Sequence, residues 1–449
     1  MSRERKNINF TEGVIWKQIV VFTLPMLVGS ILQQTYNMVD SVIVGQFVGR
    51  EALAAVGSSN NIIMLITSLF MGIAMGASVT VARYFGAGDR ENMQKGVHTM
   101  VAFGLAGGLV LTVVGELLTP WLLRWIGTPE TVMAESMVYF RVYFAGTLFN
   151  ILYNIGGGIF RAVGDSRHPL YYLIFACVLN TVLDLWFVAG LGWGVAGAAW
   201  ATVIAQLASC VLTFIRLMTK ETDIRVSLRS IRIHGRQLKE IIDIGLPSGL
   251  QNSIVSLSNV VVQANINSFG ALALAGYGAY CKIDGFALMP ASNFAMTCTT
   301  FVSQNVGAQK HDRAKRGALT GLVMNLLTAE VIGVALYVLA PTLMRAFSSD
   351  PEVIYYGALQ ARCVTLFYFL VAGSHAMAGI LRGYGQSKLP MAIMIAFWCG
   401  LRMAWITGMV HWFHDIRLVY WAYPLTWLCS FTVLVFATMR QMKWQGRLN

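Results

Sequence analysis

Phe160-Arg161-Ala162-Val163-Gly164-Asp165-Ser166-Arg167-His168-Pro169 returns later in the chain as Leu381-Arg382-Gly383-Tyr384-Gly385-Gln386-Ser387-Lys388-Leu389-Pro390, at an offset of 221 residues. The same offset carries Val81-Ala82-Arg83-Tyr84-Phe85-Gly86-Ala87-Gly88 onto Val302-Ser303-Gln304-Asn305-Val306-Gly307-Ala308-Gln309. Pro25 and Pro247, each inside an apolar stretch, stand 222 apart, so one inserted residue reconciles the three matches. The chain reads as two copies of one unit, a construction common among transporters.

Of the 449 residues, 56% are hydrophobic and 12% charged. Soluble domains carry about 25% charge, so this composition is that of a membrane protein. Apolar runs of about 20 residues, long enough to cross a bilayer as a helix, recur throughout, and the alternation of a β-barrel is absent. The expected fold is all-α and integral to the membrane, with twelve transmembrane helices near 15–41, 53–80, 95–119, 134–159, 169–189, 195–217, 240–265, 274–302, 317–340, 355–380, 390–411 and 417–439. Six spans per copy is an even number, so both copies enter the membrane in the same orientation. Two six-helix bundles related by a pseudo-two-fold axis along the membrane normal follow from that parity. Residues 218–239 are the one long polar break, and they divide the chain into an amino-terminal lobe, 1–217, and a carboxy-terminal lobe, 240–449.

A formal charge of +12 resembles a nucleic-acid signature. The basic residues, however, sit in alternate loops. Arg3, Arg5, Lys6, Arg83, Arg90, Lys95, Arg161, Arg167, the connector arginines Arg225, Arg229, Arg232 and Arg236, and Lys310, Arg313, Lys315, Arg316, Arg382, Lys388, Arg440, Lys443 and Arg447 fall on one side. Arg50, Arg124, Arg345 and Arg417 are what the other side holds. The positive-inside rule therefore places both termini and the connector in the cytoplasm of a protein of the cytoplasmic (inner) membrane. Anionic lipid headgroups, not nucleic acid, are the expected partner of this charge. Seven cysteines lie within the expected spans without Cys-x-x-Cys or Cys/His metal spacing, so neither a disulfide framework nor a zinc site is indicated. The first span follows a basic stretch and exceeds a signal-peptide core in length, and it reads as a retained helix.

Several motifs together resemble the multidrug and toxic compound extrusion (MATE) transporters over essentially the full length. They are Leu24-Pro25 and Gly245-Leu246-Pro247, Val39-Asp40, Phe85-Gly86-Ala87-Gly88-Asp89, Phe160-Arg161-Ala162-Val163-Gly164-Asp165, Gly194-Val195-Ala196-Gly197-Ala198-Ala199-Trp200-Ala201-Thr202, Leu381-Arg382-Gly383-Tyr384-Gly385 and Tyr423-Pro424-Leu425-Thr426-Trp427. The resemblance implies a V-shaped pair of six-helix bundles and cation-coupled export by alternating access, with no cofactor beyond H+ or Na+ as coupling ion.

Ionisable residues deep in hydrocarbon cost roughly 2.5–3.5 kcal/mol each on insertion scales, so they need a reason to be there. The first lobe has two that matter, Asp40 and Asp184. Tyr36 and Asp40 on the first helix, and Asn180 and Asp184 on the fifth, are spaced i, i+4, which stacks each pair on one helical face. At about 1.5 Å per residue, Asp184 lies about 22 Å in from the cytoplasmic end of its helix and Thr202 about 10 Å below the outer surface. Carboxylate, amide and hydroxyl oxygens at a shared depth form the donor set for a hard cation or a shared proton. The repeat counterparts of Asp184 and Asn180 are Trp405 and Leu401, and that of Asp40 is Val261 or Val262, so the architecture does not demand the acids. The resembled family carries an amino-lobe proton or Na+ site at the positions of Tyr36, Asp40, Asn180, Asp184 and Thr202, with Asn154 of the fourth helix nearby. The competing reading is interhelical hydrogen bonding, worth roughly 0.6 kcal/mol apiece.

Some family members bear acids on the seventh and tenth helices. Here those neighbourhoods read Gln251-Asn252-Ser253-Ile254-Val255 and Phe369-Leu370-Val371-Ala372-Gly373, which is closer to the branch called DinF-like. Lys282 and Asp284 read as an ion pair or as cavity charges, and Arg402 as a packed guanidinium or an anchor for an anionic substrate group. Pro25 and Pro247 each remove a helix hydrogen bond and permit bending, either as static kinks or as the element that answers protonation of Asp40 or Asp184. The expected function is H+- or Na+-driven antiport of amphipathic, often cationic, drugs or metabolites, carried out by a monomer. A flippase for a lipid-linked precursor competes; it favours extra helices and a cavity with several cations. An integral-membrane enzyme is disfavoured, since His168, His311 and His411 lie at span ends without partner spacing and no phosphate loop is present.

Overall fold

The repeated motifs are helix ends. After the fourth helix Gly164 takes φ +82°, with Asp165 N–H donating to Phe160 O at 2.9 Å and Gly164 N–H to Arg161 O at 3.0 Å. At the matching place Gly385 takes φ +86°, and Gln386 and Gly385 donate to Leu381 O at 2.9 Å and Arg382 O at 2.8 Å. This two-bond closure needs a left-handed residue, which glycine supplies without steric cost. Gly88 ends the second helix in the same way, Asp89 and Gly88 donating to Tyr84 O and Phe85 O at 3.1 Å each. Its counterpart Gln309 keeps the closure at φ +58° despite carrying a side chain. The connection to the fifth helix is also built locally. Asp165 accepts from the backbone N–H of Arg167 at 3.1 Å and of His168 at 3.2 Å, and it pairs with the His168 ring. His168, expected to lack a partner, has one three residues upstream.

A computed structural model describes residues 8–48, 50–125, 128, 130–219 and 224–445, with the backbone alone for 50–66, 411, 444 and 445. The basic residues of the amino terminus, Lys220 in the connector and Arg447 lie outside the described residues, as do the side chains of Arg50 and His411. Among the described residues there is no strand, and twelve helical spans follow one another. They are α1 (Ile15–Phe47), α2 (Arg50–Ala87), α3 (Arg90–Trp125), α4 (Glu130–Ala162), α5 (Arg167–Asp184, continued by a π turn Leu185–Gly190) and α6 (Gly194–Met218). The second copy holds α7 (Gly235–Asn267), α8 (Ala271–Ala287 and Met289–Gly307), α9 (His311–Arg345), α10 (Pro351–Val364 and Tyr368–Gly383), α11 (Lys388–Ile395, a π turn Ala396–Leu401, then Arg402–Phe413) and α12 (Ile416–Gln445). The fold is the expected all-α, twelve-span one, with helices that overhang the predicted apolar cores; 36 residues in α3 make about 54 Å of helix.

Nine spans among the described residues are long and apolar enough to cross a membrane on their own composition. Those of α4, α7 and the divided α8 are not among them, because they carry more polar groups or are shorter. Several of these groups are satisfied internally: Asn154 Nδ2 donates to Asn150 O at 2.9 Å, Ser256 to Asn252 O at 3.0 Å and Ser258 to Trp398 O at 3.0 Å. Outward, large apolar side chains stand bare, Leu117 at 75% exposure and Val331 at 70%, as lipid-facing residues do.

The chain forms two compact units whose limits fall beside the two prolines: Ile8 with Leu24–Leu246, and Asn9–Thr23 with Pro247–Asn449. The first unit buries Val81, Met93, Val97, Ile155 and Phe160 together with Ile224 and Val226 of the connector and Ile241 of α7. A Cβ on Gly76 of α2 would lie 2.4 Å from Ile241 O, so glycine is what lets α2 and the start of α7 meet backbone to backbone. In the second unit Tyr368, Tyr420 and Met394 form the centre. There Phe10 packs edge-on to Phe22 at 5.1 Å, and the Thr23 and Thr297 hydroxyls bond at 2.7 Å. Both α1 and α7 run on as helix through Pro25 and Pro247.

Candidate functional site

Small residues bring α4, α5 and α6 close enough to share side chains. A Cβ on Gly146 would sit 2.4 Å from Val203 Cγ2, and one on Gly197 would meet Phe187 Cβ at 3.1 Å. Into the resulting interior α5 projects Asn180 and Asp184 one turn apart, with 1% and 0% exposure. Directly after Asp184 the helix widens into the π turn Leu185–Gly190. Such turns insert a residue into the helical ladder and recur at functional sites.

Thr202 of α6 is the meeting point. Its hydroxyl lies 3.4 Å from the Tyr36 hydroxyl of α1 and 3.4 Å from Asn180 Nδ2. One turn beyond Tyr36, half-buried Asp40 puts its carboxyl group within hydrogen-bonding reach of that of Asp184. No hydroxyl, amide or basic group among the described residues donates to either Asp184 oxygen, to Asp40 Oδ1 or to Asn180 Oδ1. Buried acceptors without donors are costly, and two facing carboxyl groups repel unless a proton or a cation stands between them. Oxygens from three helices thus converge with a deficit of positive charge. Carboxylate, amide and hydroxyl oxygens are donors that suit a hard cation or a proton rather than a transition metal.

Five of the candidate residues, Tyr36, Asp40, Asn180, Asp184 and Thr202, are brought together. Asn154 is not part of this hydrogen-bonded set; its amide turns onto Asn150 of its own helix, reaching O at 2.9 Å and Oδ1 at 2.8 Å. Tyr139 of α4, 9% exposed, takes a place that sequence reasoning missed, within electrostatic range of Asp40, Tyr36 and Asp184. Val138-Tyr139-Phe140 reads as ordinary apolar helix, so nothing local marks it.

In the second unit the corresponding place is apolar, with Val262 fully buried and Trp405 Nε1 bonded to Leu418 O at 3.1 Å. Lys282 and Asp284 do not pair. Lys282 Nζ lies over the Phe347 ring at 5.9 Å, and Asp284 accepts from Tyr280 at 3.1 Å and Tyr368 at 2.5 Å. Arg402, 2% exposed, donates to Thr426 Oγ1 at 3.2 Å and stacks over Tyr423 at 4.4 Å and Trp398 at 5.8 Å. Aromatic faces stand in for the carboxylate that a buried guanidinium ordinarily seeks.

The MatE family model matches residues 25–186 and again 247–406. The two matches start at the two prolines and restate the internal repeat. A probable multidrug resistance protein of Bacillus subtilis, YoeA, is 29% identical over 394 residues, covering 86% of this chain and 85% of the relative. An FAD transporter of Shewanella oneidensis is 25% identical over 344 residues, 76% of each chain. Among solved structures, the outward-facing conformation of a multidrug resistance MATE family transporter superposes with a TM-score of 0.93 at 23% identity, covering 99% of both chains.

Proposed function

Because the chain belongs to the MatE family, we propose that this multi-pass membrane transporter is a secondary exporter driven by H+ or Na+ through the first-unit oxygen cluster. The observation that carries the reading is the approach of the Asp40 and Asp184 carboxyl groups to within hydrogen-bonding reach, with acceptor oxygens around them that lack donors among the described residues. A cation arriving down its gradient satisfies those oxygens. Cation and cargo need only favour different conformations for exchange to follow, since coupling is a difference in affinity between states. In this reading Asp40, Asp184, Asn180 and Thr202 hold the ion, Tyr36 orients Thr202, and Pro25 and Pro247 let α1 and α7 bend between states. The distribution of basic loops supports both termini on the cytoplasmic side of the inner membrane, and in this reading the two lobes, joined by the connector 218–239, work as a monomer.

Cargo is an amphipathic, often cationic, compound in keeping with relatives described as multidrug resistance proteins. Buried Arg402, with no carboxylate partner among the described residues, favours a second reading, an anionic metabolite, and one relative is an FAD transporter. Proteoliposomes loaded with ethidium or with FAD, given an imposed pH or Na+ gradient, separate these readings. Gradient-driven efflux lost in Asp40→Asn and Asp184→Asn but kept in Asp284→Asn supports the first-unit site and identifies the ion. Efflux unchanged in both first-unit variants refutes it.

A further inference from the structure

Where α3 begins, the connector folds back over the helix and borders an open cavity of about 780 Å³. Arg90, Lys95, Arg225, Arg229 and Arg232 line it against one carboxylate, Glu91, and Lys95 already holds Glu91 at 2.5 Å. The connector wall of this cavity is held in place by hydrogen bonds. Ser227 N–H donates to His98 Nε2 at 3.1 Å, His234 N–H to Thr99 Oγ1 at 3.1 Å and Gln237 Nε2 to Asn92 Oδ1 at 3.0 Å. Ile224 and Val226 anchor it in the apolar core at 2% exposure each. Arg232 Nε donates to His234 Nε2 at 3.1 Å, leaving its terminal nitrogens for another acceptor. Among the described residues Arg225 and Arg229 have no partner at all, and both are exposed. Between and beside these arginines, Leu228 and Ile233 stand 69% and 51% exposed.

We propose that this cavity binds the phosphate headgroup of an anionic phospholipid, with Arg225 and Arg229 on the phosphate oxygens and Leu228 and Ile233 against the acyl chains. Planar guanidinium groups match phosphate oxygens two at a time. The connector arginines lie on the side that carries the basic loops, and the cytoplasmic leaflet supplies anionic headgroups there. The two bare apolar residues are what single out a lipid over a free phosphate, which has no use for them.

Thermal unfolding of the purified full-length protein in neutral detergent, titrated with phosphatidylglycerol, phosphatidylcholine or inorganic phosphate, tests this. Stabilisation by phosphatidylglycerol at about tenfold lower concentration than by phosphatidylcholine is expected, given the attraction of each basic residue to an anionic surface. Arg225→Ala/Arg229→Ala should abolish the preference, and Lys315→Ala/Arg316→Ala on α9 should keep it. Equal response to both lipids, a preference surviving in Arg225→Ala/Arg229→Ala, or a full effect from inorganic phosphate alone overturns the proposal. A photoactivatable phosphatidylglycerol on the unaltered protein gives an arm independent of mutant folding. Cross-links within 224–234 support the site, and cross-links confined to other segments refute it.

Discussion

Asp40 on α1 and Asp184 on α5 bring their carboxyl groups within hydrogen-bonding reach of each other. Their repeat counterparts, Val261 or Val262 and Trp405, have no such chemistry. Since the two halves share helix order and helix ends, the pair is an addition to the architecture and not a consequence of it. A buried acid pair costs stability wherever it stands. That the second copy dispenses with such a pair supports the proposed ion site over a role in holding the fold together.

Asp40→Asn and Asp184→Asn should each lower gradient-driven efflux by about tenfold or more, and the double variant should be no slower than the worse single one, because groups that act as a unit are non-additive. Initial efflux rates of the three variants and the unaltered protein, read at one imposed gradient, check this. Multiplying losses would mean the two acids serve separate steps.

Thr202→Val removes the hydroxyl that both Tyr36 and Asn180 approach at 3.4 Å. Loss of one such polar partner in a buried site costs roughly 1–3 kcal/mol, which corresponds to at least about a fivefold rise in the ion concentration that half-saturates efflux. Thr202→Ser should restore near-normal ion dependence. Equal behaviour of Val and Ser would remove Thr202 from the site.

Gln309 holds φ +58° where its counterpart Gly88 holds φ +68°. A left-handed conformation costs a side chain roughly 1–2 kcal/mol, part of which glycine returns in unfolded-state entropy. Gln309→Gly is therefore expected to stabilise by about 0.5–1 kcal/mol and Gly385→Ala to destabilise by about 1–2 kcal/mol. Midpoints of thermal unfolding in detergent report both signs.

Gly146 lets α4 approach Val203 so closely that a Cβ would stand 2.4 Å from Cγ2. Gly146→Ala should destabilise by about 1–3 kcal/mol through overpacking. Adding Val203→Ala should recover part of that loss, giving a double-mutant coupling of opposite sign to either single change. Additive losses would show that the two side chains do not compete for the same space.

His234, outside the membrane spans, is kept below the ordinary imidazole range by burial and by Arg232, Lys95 and His98. Its Nε2 accepts from Arg232, so the native arrangement requires the neutral ring. With the folded value depressed, this contact is intact above the unfolded value of about 6.5 and weakens as pH falls below it. Amide hydrogen exchange over 224–234 should accelerate between neutral and mildly acidic pH, and His234→Gln should flatten that dependence. Exchange that is independent of pH in the unaltered protein, after correction for intrinsic rates, would refute it.

Much of the fold was legible because it is local or repeated. Long apolar runs announce helices, and the 221-residue echo announces two copies. The Gly164/Gly385 pair marks matching helix ends. Weaker signals came from α4 and α7, whose Asn, Gln and Ser residues dilute hydropathy while their side chains bond to helix carbonyls. Part of the candidate site was legible too, since i, i+4 spacing places Tyr36 with Asp40 and Asn180 with Asp184 on single helical faces.

What depended on tertiary structure is everything that crosses between helices without a sequence period. Asn154 turns to Asn150, Tyr139 comes near the acids, and Asp284 is held by Tyr280 and Tyr368 instead of Lys282. The connector, which reads as a polar break, is tied onto α3 through His98 and Thr99. Sequence by itself determined the helices, their duplication and the acids unique to the first copy, because backbone hydrogen bonding and hydrophobic burial act over short chain distances. Only the packed structure decided which oxygens lack donors, because that depends on helix faces far apart in the chain meeting at a few ångströms.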